Sequence, residues 1–318
     1  MTASYDKLAA LAVLPPVAGG RLQNKSLRAW LAQSNLRLVP KDRELLATIV
    51  EILGLPYPDD GLAALRMWGQ TGERPTVWVA AADPVYLEPR LDHLCLHALP
   101  SESLQPGDFR ALIEHLQERL GGERQIGLIR LGDSGYLRVD KPVSTARVPA
   151  YVVDQKVPSE YLPEGEDAAT YRNLLGEIET SLHDHEVNDR RIAAGAQPVN
   201  SLWLWGGGFA PERETRPQPR LFADDALLRG YWESANAVAR VWPGSIAGCI
   251  AADGDTDIVA VAPEQDDPEF LEHCLAELRA ALRKNRLKQL TLLFRDGRRA
   301  DVARTQALRF WRRDSEIL

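Results

Sequence analysis

The stretch Asn200-Ser201-Leu202-Trp203-Leu204-Trp205-Gly206-Gly207-Gly208 constrains this chain more than any other. It carries no charge, is long enough for one buried strand, and stops in three consecutive glycines. Side chains alternate along an extended segment, so both tryptophans fall on one side and both leucines on the other. Apolar character on both faces predicts a central parallel strand covered on both sides. Ligands of open α/β sheets bind outside the carboxyl ends of such strands. Gly206, Gly207 and Gly208 therefore mark a place where a backbone can approach a ligand with no Cβ in the way.

The 318 residues, 45% hydrophobic and 26% charged, are enough for one large or two ordinary globular domains. Cys95, Cys249 and Cys274 lie far apart and form no CxxC pair, which predicts reduced, buried thiols in a cytoplasmic protein. No segment approaches the ~20 apolar residues of a membrane helix, so no membrane association is expected. The apolar start, Leu8–Leu14, is short, runs into Pro15-Pro16 and has Asp6 beside Lys7, which argues against a cleaved signal. The net charge of −7 is uneven: 281–313 holds eleven Lys or Arg against two Asp, a local +9, so the rest carries −16. A basic tail on an acidic body could engage an anion or a protein partner. The plainer reading pairs its arginines with the acidic body, and nucleic-acid binding is not expected.

Breakers and periodicity divide the chain into a helical N-terminal segment, 1–75, and an α/β core, 76–318, with a basic C-terminal helix and hairpin. In the first part 26–31 and 42–53 are helical in pattern, with Asp42 as N-cap and Gly54 as stop. In the second, strands are predicted at 76–81, 94–98, 201–205, 258–262 and 290–294, and a hairpin at 126–139. Helices are predicted at 108–120, 169–194, 224–240 and 268–284. This alternation predicts an α/β fold with a mostly parallel sheet flanked by helices.

Several chemistries are excluded by spacing. A GxGxxG fingerprint begun at Gly206 would need glycine where Pro211 stands, and no P-loop, HExxH or GxSxG occurs. His183 and His185 would point apart on a helix, and His93, His97, His115 and His273 are isolated by spacing, so no metal or cofactor is expected. Asp253 to Asp257 mimics an EF-hand loop, but Ile258 stands where glycine is required, so it reads as a turn. His185, Asn188 and Arg191, spaced by three, share one helix face and could hold a phosphate or carboxylate. The competing reading is a core helix with a wet flank. Asp83 is either a ligand or a turn residue ahead of Pro84.

The segment 182–208 resembles the H-P-x-N-x-x-R…G…P-x-N-x-x-W-x-W-G-x-G pattern of archaeal-type cofactor-independent phosphoglycerate mutases. It is closer still to the RpfE-type regulatory proteins, a bacterial branch of that family. Ala82-Asp83-Pro84-Val85-Tyr86-Leu87 is similar to the A-D-P-V-H-L segment of that branch, with Tyr86 in place of His. His185, Asn188, Arg191, Asn200, Trp205, Gly206 and Gly208 match by position, and Glu186 replaces the usual proline. The resemblance implies an alkaline-phosphatase-superfamily fold and a small phosphorylated ligand. It assigns His185, Asn188, Arg191, Asn200, Trp205, Gly206 and Gly208 to that ligand, and Gly207 and Asp83 are expected beside them. Mutases of this superfamily also use two divalent metals and a serine nucleophile. No early D-x-D-G motif is present to supply them, and the last ninety residues hold no Asp-His pair and no His-x-x-x-His. The sequence thus points to a non-catalytic regulatory or ligand-binding protein. The alternatives are an active mutase with a rearranged site and an interaction protein acting through its basic tail.

Overall fold

The computed structural model describes residues 8–17, 22–40, 43–100, 103–122, 126–165, 168–252 and 256–303. In chain order it contains β1 (Leu8–Leu14), α1 (Lys25–Ala32), β2 (Asn35–Leu38), α2 (Leu45–Leu53) and α3 (Leu62–Thr71). There follow β3 (Val79–Pro89), β4 (Leu94–Ala98), α4 (Asp108–Leu120), β5 (Ile126–Leu131), β6 (Ser134–Val139) and α5 (Ala150–Val153). Next come α6 (Ala168–Leu182), α7 (Glu186–Ala193), β7 (Ser201–Gly208), β8 (Arg220–Phe222), α8 (Ala226–Ser234) and β9 (Ala239–Arg240). The last described elements are α9 (Ile246–Ala251), β10 (Ile258–Val261), α10 (Pro268–Arg283), β11 (Leu287–Phe294) and β12 (Arg298–Ala303).

The elements form two units, 1–41 with 213–318, and 42–212. This differs from the composition boundary at 75. The reason is β1: Leu8–Leu14 reads as too short for a span or signal, and it is a central strand between β10 and β11. Its partners lie more than 240 residues downstream, a pairing that periodicity cannot reveal.

The first unit carries a seven-stranded sheet in the order β2-β12-β11-β1-β10-β8-β9. Five neighbours, β11 to β9, run parallel, and β12 and β2 close one edge antiparallel. Ala10, Ala12, Leu14, Ile258, Ala260, Leu290 and Leu292 of the sheet pack with Leu27 and Leu31 of α1 and Leu271, Leu275 and Leu278 of α10. Helix α10 begins where it should, with Asp267 capping Glu269 N and Pro268 in the first turn.

The second unit carries a five-stranded antiparallel sheet, β4-β3-β6-β5 with β7 also on β3. The glycine strand is therefore buried on both faces as expected, but it is antiparallel. It pairs Ser201 with Val85 and Gly208 with Val79. A continuous apolar run reports two covered faces, not strand direction, and here helices cover an antiparallel sheet. Leu202 and Leu204 pack with Leu112, Leu116, Tyr171 and Ile178 of α4 and α6. Strand β3 runs through Asp83-Pro84 instead of ending there. The helix expected over 169–194 breaks at His183–His185 into α6 and α7. Asp42, the expected cap of α2, lies outside the described residues; Glu44 caps that helix, and Gly54 ends it in the left-handed conformation. The region expected to be helical over 224–240 is α8 followed by the short strand β9. Among the described residues no helix is long and apolar enough to cross a membrane.

Candidate functional site

The three glycines do permit a close approach, but the body that approaches is α3. A Cβ at Gly208 would lie 2.4 Å from Gly61 N, and one at Gly206 3.0 Å from Leu62 Cβ. A Cβ at Gly207 would meet the Trp78 ring at 2.5 Å. Gly206 also has φ +62°, a conformation that side chains with a Cβ rarely adopt. The glycines thus let the start of α3 lie directly on β7.

Trp205 and Asp83 meet beside them. The indole Nε1 of Trp205 donates to Asp83 Oδ2 at 2.6 Å. Arg66 of α3, which the sequence reading missed, completes the cluster. It donates to Asp83 Oδ1 at 2.7 Å, to Tyr136 Oη at 3.2 Å and to the Gly135 carbonyl at 2.9 Å. Its guanidinium lies 5.2 Å from the centroid of the Trp205 ring. Tyr136 in turn donates to Gln70 Oε1 at 2.6 Å, and Gln70 donates to Ser134 Oγ at 2.8 Å. Burial works to lower the Arg66 pKa, but the Asp83 carboxylate and Tyr136 outweigh it and hold the group above its ordinary value. Burial pushes the Tyr136 hydroxyl up. The network therefore fixes one arginine cation against one carboxylate within an apolar setting, with the fork and ring faces that suit arginine. The available signal was Arg66 itself, a lone charge in the otherwise apolar run Leu62 to Trp68.

The four remaining predicted residues do not join this cluster, and their polar atoms bind backbone. Asn188 is buried; its amide donates to the carbonyls of Leu182 and Val199, both at 2.9 Å, and its oxygen accepts from Val199 N at 2.8 Å. Arg191 is buried and donates to the carbonyls of Gln197 and Ser103 at 2.8 and 3.0 Å. Asn200 exchanges two hydrogen bonds with the backbone of Leu87, at 2.7 and 2.9 Å, as a strand neighbour would. His185 is the N-cap of α7, its Nδ1 accepting from Val187 N at 3.2 Å, and its ring meets that of His115 edge-on at 4.7 Å. Burial and the neighbouring His115 lower its pKa, which favours the neutral ring a cap requires. The i, i+3 spacing holds for Asn188 and Arg191 within α7, whereas His185 stands before the helix as its N-cap. Spacing could not show that Asn188 and Arg191 meet the backbone of the turn between α7 and β7.

Ligands of open α/β sheets bind at the carboxyl ends of the parallel strands, which here lie in the first unit. There Asp224 accepts from Trp242 N and Asp225 caps Leu228 N. Asp296 accepts from Val17 N and pairs with Arg298 at 2.8 Å, and Glu264 faces Arg295 at 3.5 Å. Each of these carboxylates is matched by a backbone donor or an arginine. Among the described residues, no three His, Cys, Asp or Glu donors converge at this edge. The described carboxylates at this edge, each already engaged, do not form the cluster that a pair of divalent metals would need. One trio does converge elsewhere: Glu88, Cys95 and His97 of the second unit. His97, isolated by sequence spacing, is thus part of a cluster, because β3 and β4 pair across a hairpin.

The basic tail resolves in part. Arg298 and Arg299 pair with Asp296 and Asp301, and Arg37 also meets Asp301. Arg312 and Arg313 lie outside the described residues, as does Asp253 to Asp255 of the EF-hand-like turn.

No protein-family model matches the chain. A 108-residue stretch is 34% identical to the 2,3-bisphosphoglycerate-independent phosphoglycerate mutase of Methanosarcina barkeri, over 33% of this chain and 27% of that protein. A 137-residue stretch is 28% identical to the probable 2,3-bisphosphoglycerate-independent phosphoglycerate mutase of Geobacter sulfurreducens, over 40% and 32%. The matched stretches thus span less than a third of these relatives. The chain is similar to cofactor-independent phosphoglycerate mutases over part of its length. Among solved structures, the PH0037 protein of Pyrococcus horikoshii matches 93% of this chain and 87% of its own, at TM-score 0.51 and 12% identity. That likeness is one of fold. The α/β architecture with helix-flanked sheets agrees with the fold class expected from the sequence.

Proposed function

We propose that this chain is a phosphoglycerate-mutase-like protein that acts by binding and regulation, not by phosphoryl transfer, as a relative of the RpfE-type branch. One observation supports this most: at the carboxyl edge of the parallel sheet, Arg295 and Arg298 face Glu264 and Asp296. A divalent ion would need those carboxylates free and clustered. Phosphoryl transfer in this superfamily relies on such ions to stabilise charge on the transferred group. The family resemblance at 182–208 argues for the inherited fold, and the small phosphorylated ligand it implies is the first binding target to examine.

The test is calorimetric titration of 3-phosphoglycerate into the wild-type chain and Arg191→Ala. Metal-independent binding that disappears in a still-folded Arg191→Ala variant would support an anion pocket at His185, Asn188 and Arg191. Binding unchanged in the variant would remove that pocket and leave a protein partner as the regulatory target. Conversion to 2-phosphoglycerate with added Mn²⁺ would overturn the non-catalytic reading.

A further inference from the structure

The hairpin β3–β4 places four functional side chains on one face. Glu88 lies directly opposite Cys95, and Tyr86 directly opposite His97. Cys95 and His97 are two apart on a strand and so point the same way. Directly opposed residues of an antiparallel pair bring their Cβ atoms to ~5 Å. The ligand atoms of Glu88, Cys95 and His97 accordingly lie within 4.8 Å of one another. His97 Nε2 is 2.8 Å from Glu88 Oε2, and the Tyr86 ring stacks on the imidazole at 5.8 Å between centroids. Cys95 is a free, buried thiol, while Glu88 and His97 are half-buried, so the cluster is shielded on one side and open on the other.

We propose that this face is a binding site for a zinc-type divalent ion, held by Cys95 Sγ, His97 and a Glu88 carboxylate oxygen, with a fourth position open to water. A thiol, an imidazole and a carboxylate together suit zinc and disfavour magnesium or calcium, which take oxygen ligands alone. Zinc bonds of ~2.0–2.3 Å set neighbouring ligand atoms roughly 3.3–3.8 Å apart in a tetrahedron. Metal binding therefore asks Cys95 to close by about an ångström and the His97–Glu88 contact to open by about half that. The stacked Tyr86 ring holds the imidazole orientation as an outer-shell partner would. Arg90 sits on Glu88 at 2.7 Å and is half-exposed; it must swing into solvent as the ion enters. The site is separate from the sheet edge considered above and does not depend on the regulatory reading.

The experiment is titration of the chelator-stripped full chain with Zn²⁺ against a chromophoric chelator, and with Co²⁺ by absorption. One equivalent of either metal should bind, and the Co²⁺ form should show a near-ultraviolet thiolate charge-transfer band. Cys95→Ser should abolish that band and weaken Zn²⁺ binding by at least about 100-fold, beyond the loss typical of outer-shell partners. His97→Gln should weaken binding comparably and carries the test if Cys95→Ser fails to fold. Absence of stoichiometric uptake overturns the proposal. So does a charge-transfer band or zinc affinity that survives Cys95→Ser, which would place the metal on another cysteine, or an unchanged affinity in His97→Gln.

Discussion

The carboxyl edge of the parallel sheet and the glycine end of the antiparallel sheet use their polar side chains in different ways. At the first, residues that could have held metals are tied to arginines and backbone amides. At the second, in the segment 182–208, the polar side chains of Asn188, Arg191 and Asn200 bond to backbone. The difference teaches that a matched motif can report architecture. Asn188, Arg191 and Asn200 fix the turn into β7, and the glycines fix α3 against its end.

The largest effect should come from Gly208→Ala. Its methyl would press on the Gly61 backbone, 2.4 Å from N and 2.6 Å from Cα, and backbone cannot step aside as a side-chain tip can. We expect a loss of about 3 kcal/mol or more in thermal or urea unfolding. The control is Gly176→Ala in α6, where a methyl meets nothing within 4 Å and should stabilise by up to about 1 kcal/mol. If Gly208→Ala is as benign as the control, the glycines serve something other than helix packing.

Asn188→Ala comes next. It removes the partner of the Val199 carbonyl and amide and leaves the Leu182 carbonyl with the His185 N–H alone, at a cost of about 2–3 kcal/mol. Asn188→Asp keeps the acceptor for Val199 N but loses both donors, so it should fall between Ala and wild type. A melting temperature unchanged in both would return Asn188 to the pool of ligand residues.

Arg66→Ala should cost about 2–3 kcal/mol. That is below the usual penalty for breaking a buried pair because the Asp83 side chain stays 21% exposed. Arg66→Lys should recover only part of it, since an ammonium cannot serve Asp83, Tyr136 and Gly135 together in the planar fork. Full recovery by lysine would show that charge alone matters there.

The smallest effect is in the pH profile. The folded pKa of His185 lies below its ordinary value, so the folded state holds its proton less tightly than the unfolded chain. Stability from this group is present above about pH 6.5 and declines as pH falls through the folded pKa. His185→Asn can still cap α7 but cannot titrate. It should match wild type near pH 8 and lose less stability between about pH 7 and pH 5, by under about 1 kcal/mol. Parallel curves would mean that the cap survives protonation.

Much of the α/β pattern was legible. Helices α4 and α10 and strands β7 and β10 follow from periodicity and from caps such as Asp267. Pairing was not legible: β1 joins strands at the far end of the chain, and β7 pairs antiparallel because its neighbour is β3. For the site, spacing grouped His185, Asn188 and Arg191 but could not show that carbonyls of Leu182, Gln197 and Ser103 lie in reach. Arg66 with Asp83, and Glu88 with His97, meet through tertiary contact and strand register, which a linear motif does not encode.

The most direct test of the central claim is conversion of 3-phosphoglycerate to 2-phosphoglycerate by the Cys95→Ser chain with saturating Mn²⁺, with bound metal counted on the same sample. That variant silences the hairpin site, so any metal bound belongs elsewhere. The account predicts no turnover above background and no tightly bound metal. Turnover with two metal ions per chain would contradict it and restore a catalytic centre at the carboxyl edge of the parallel sheet.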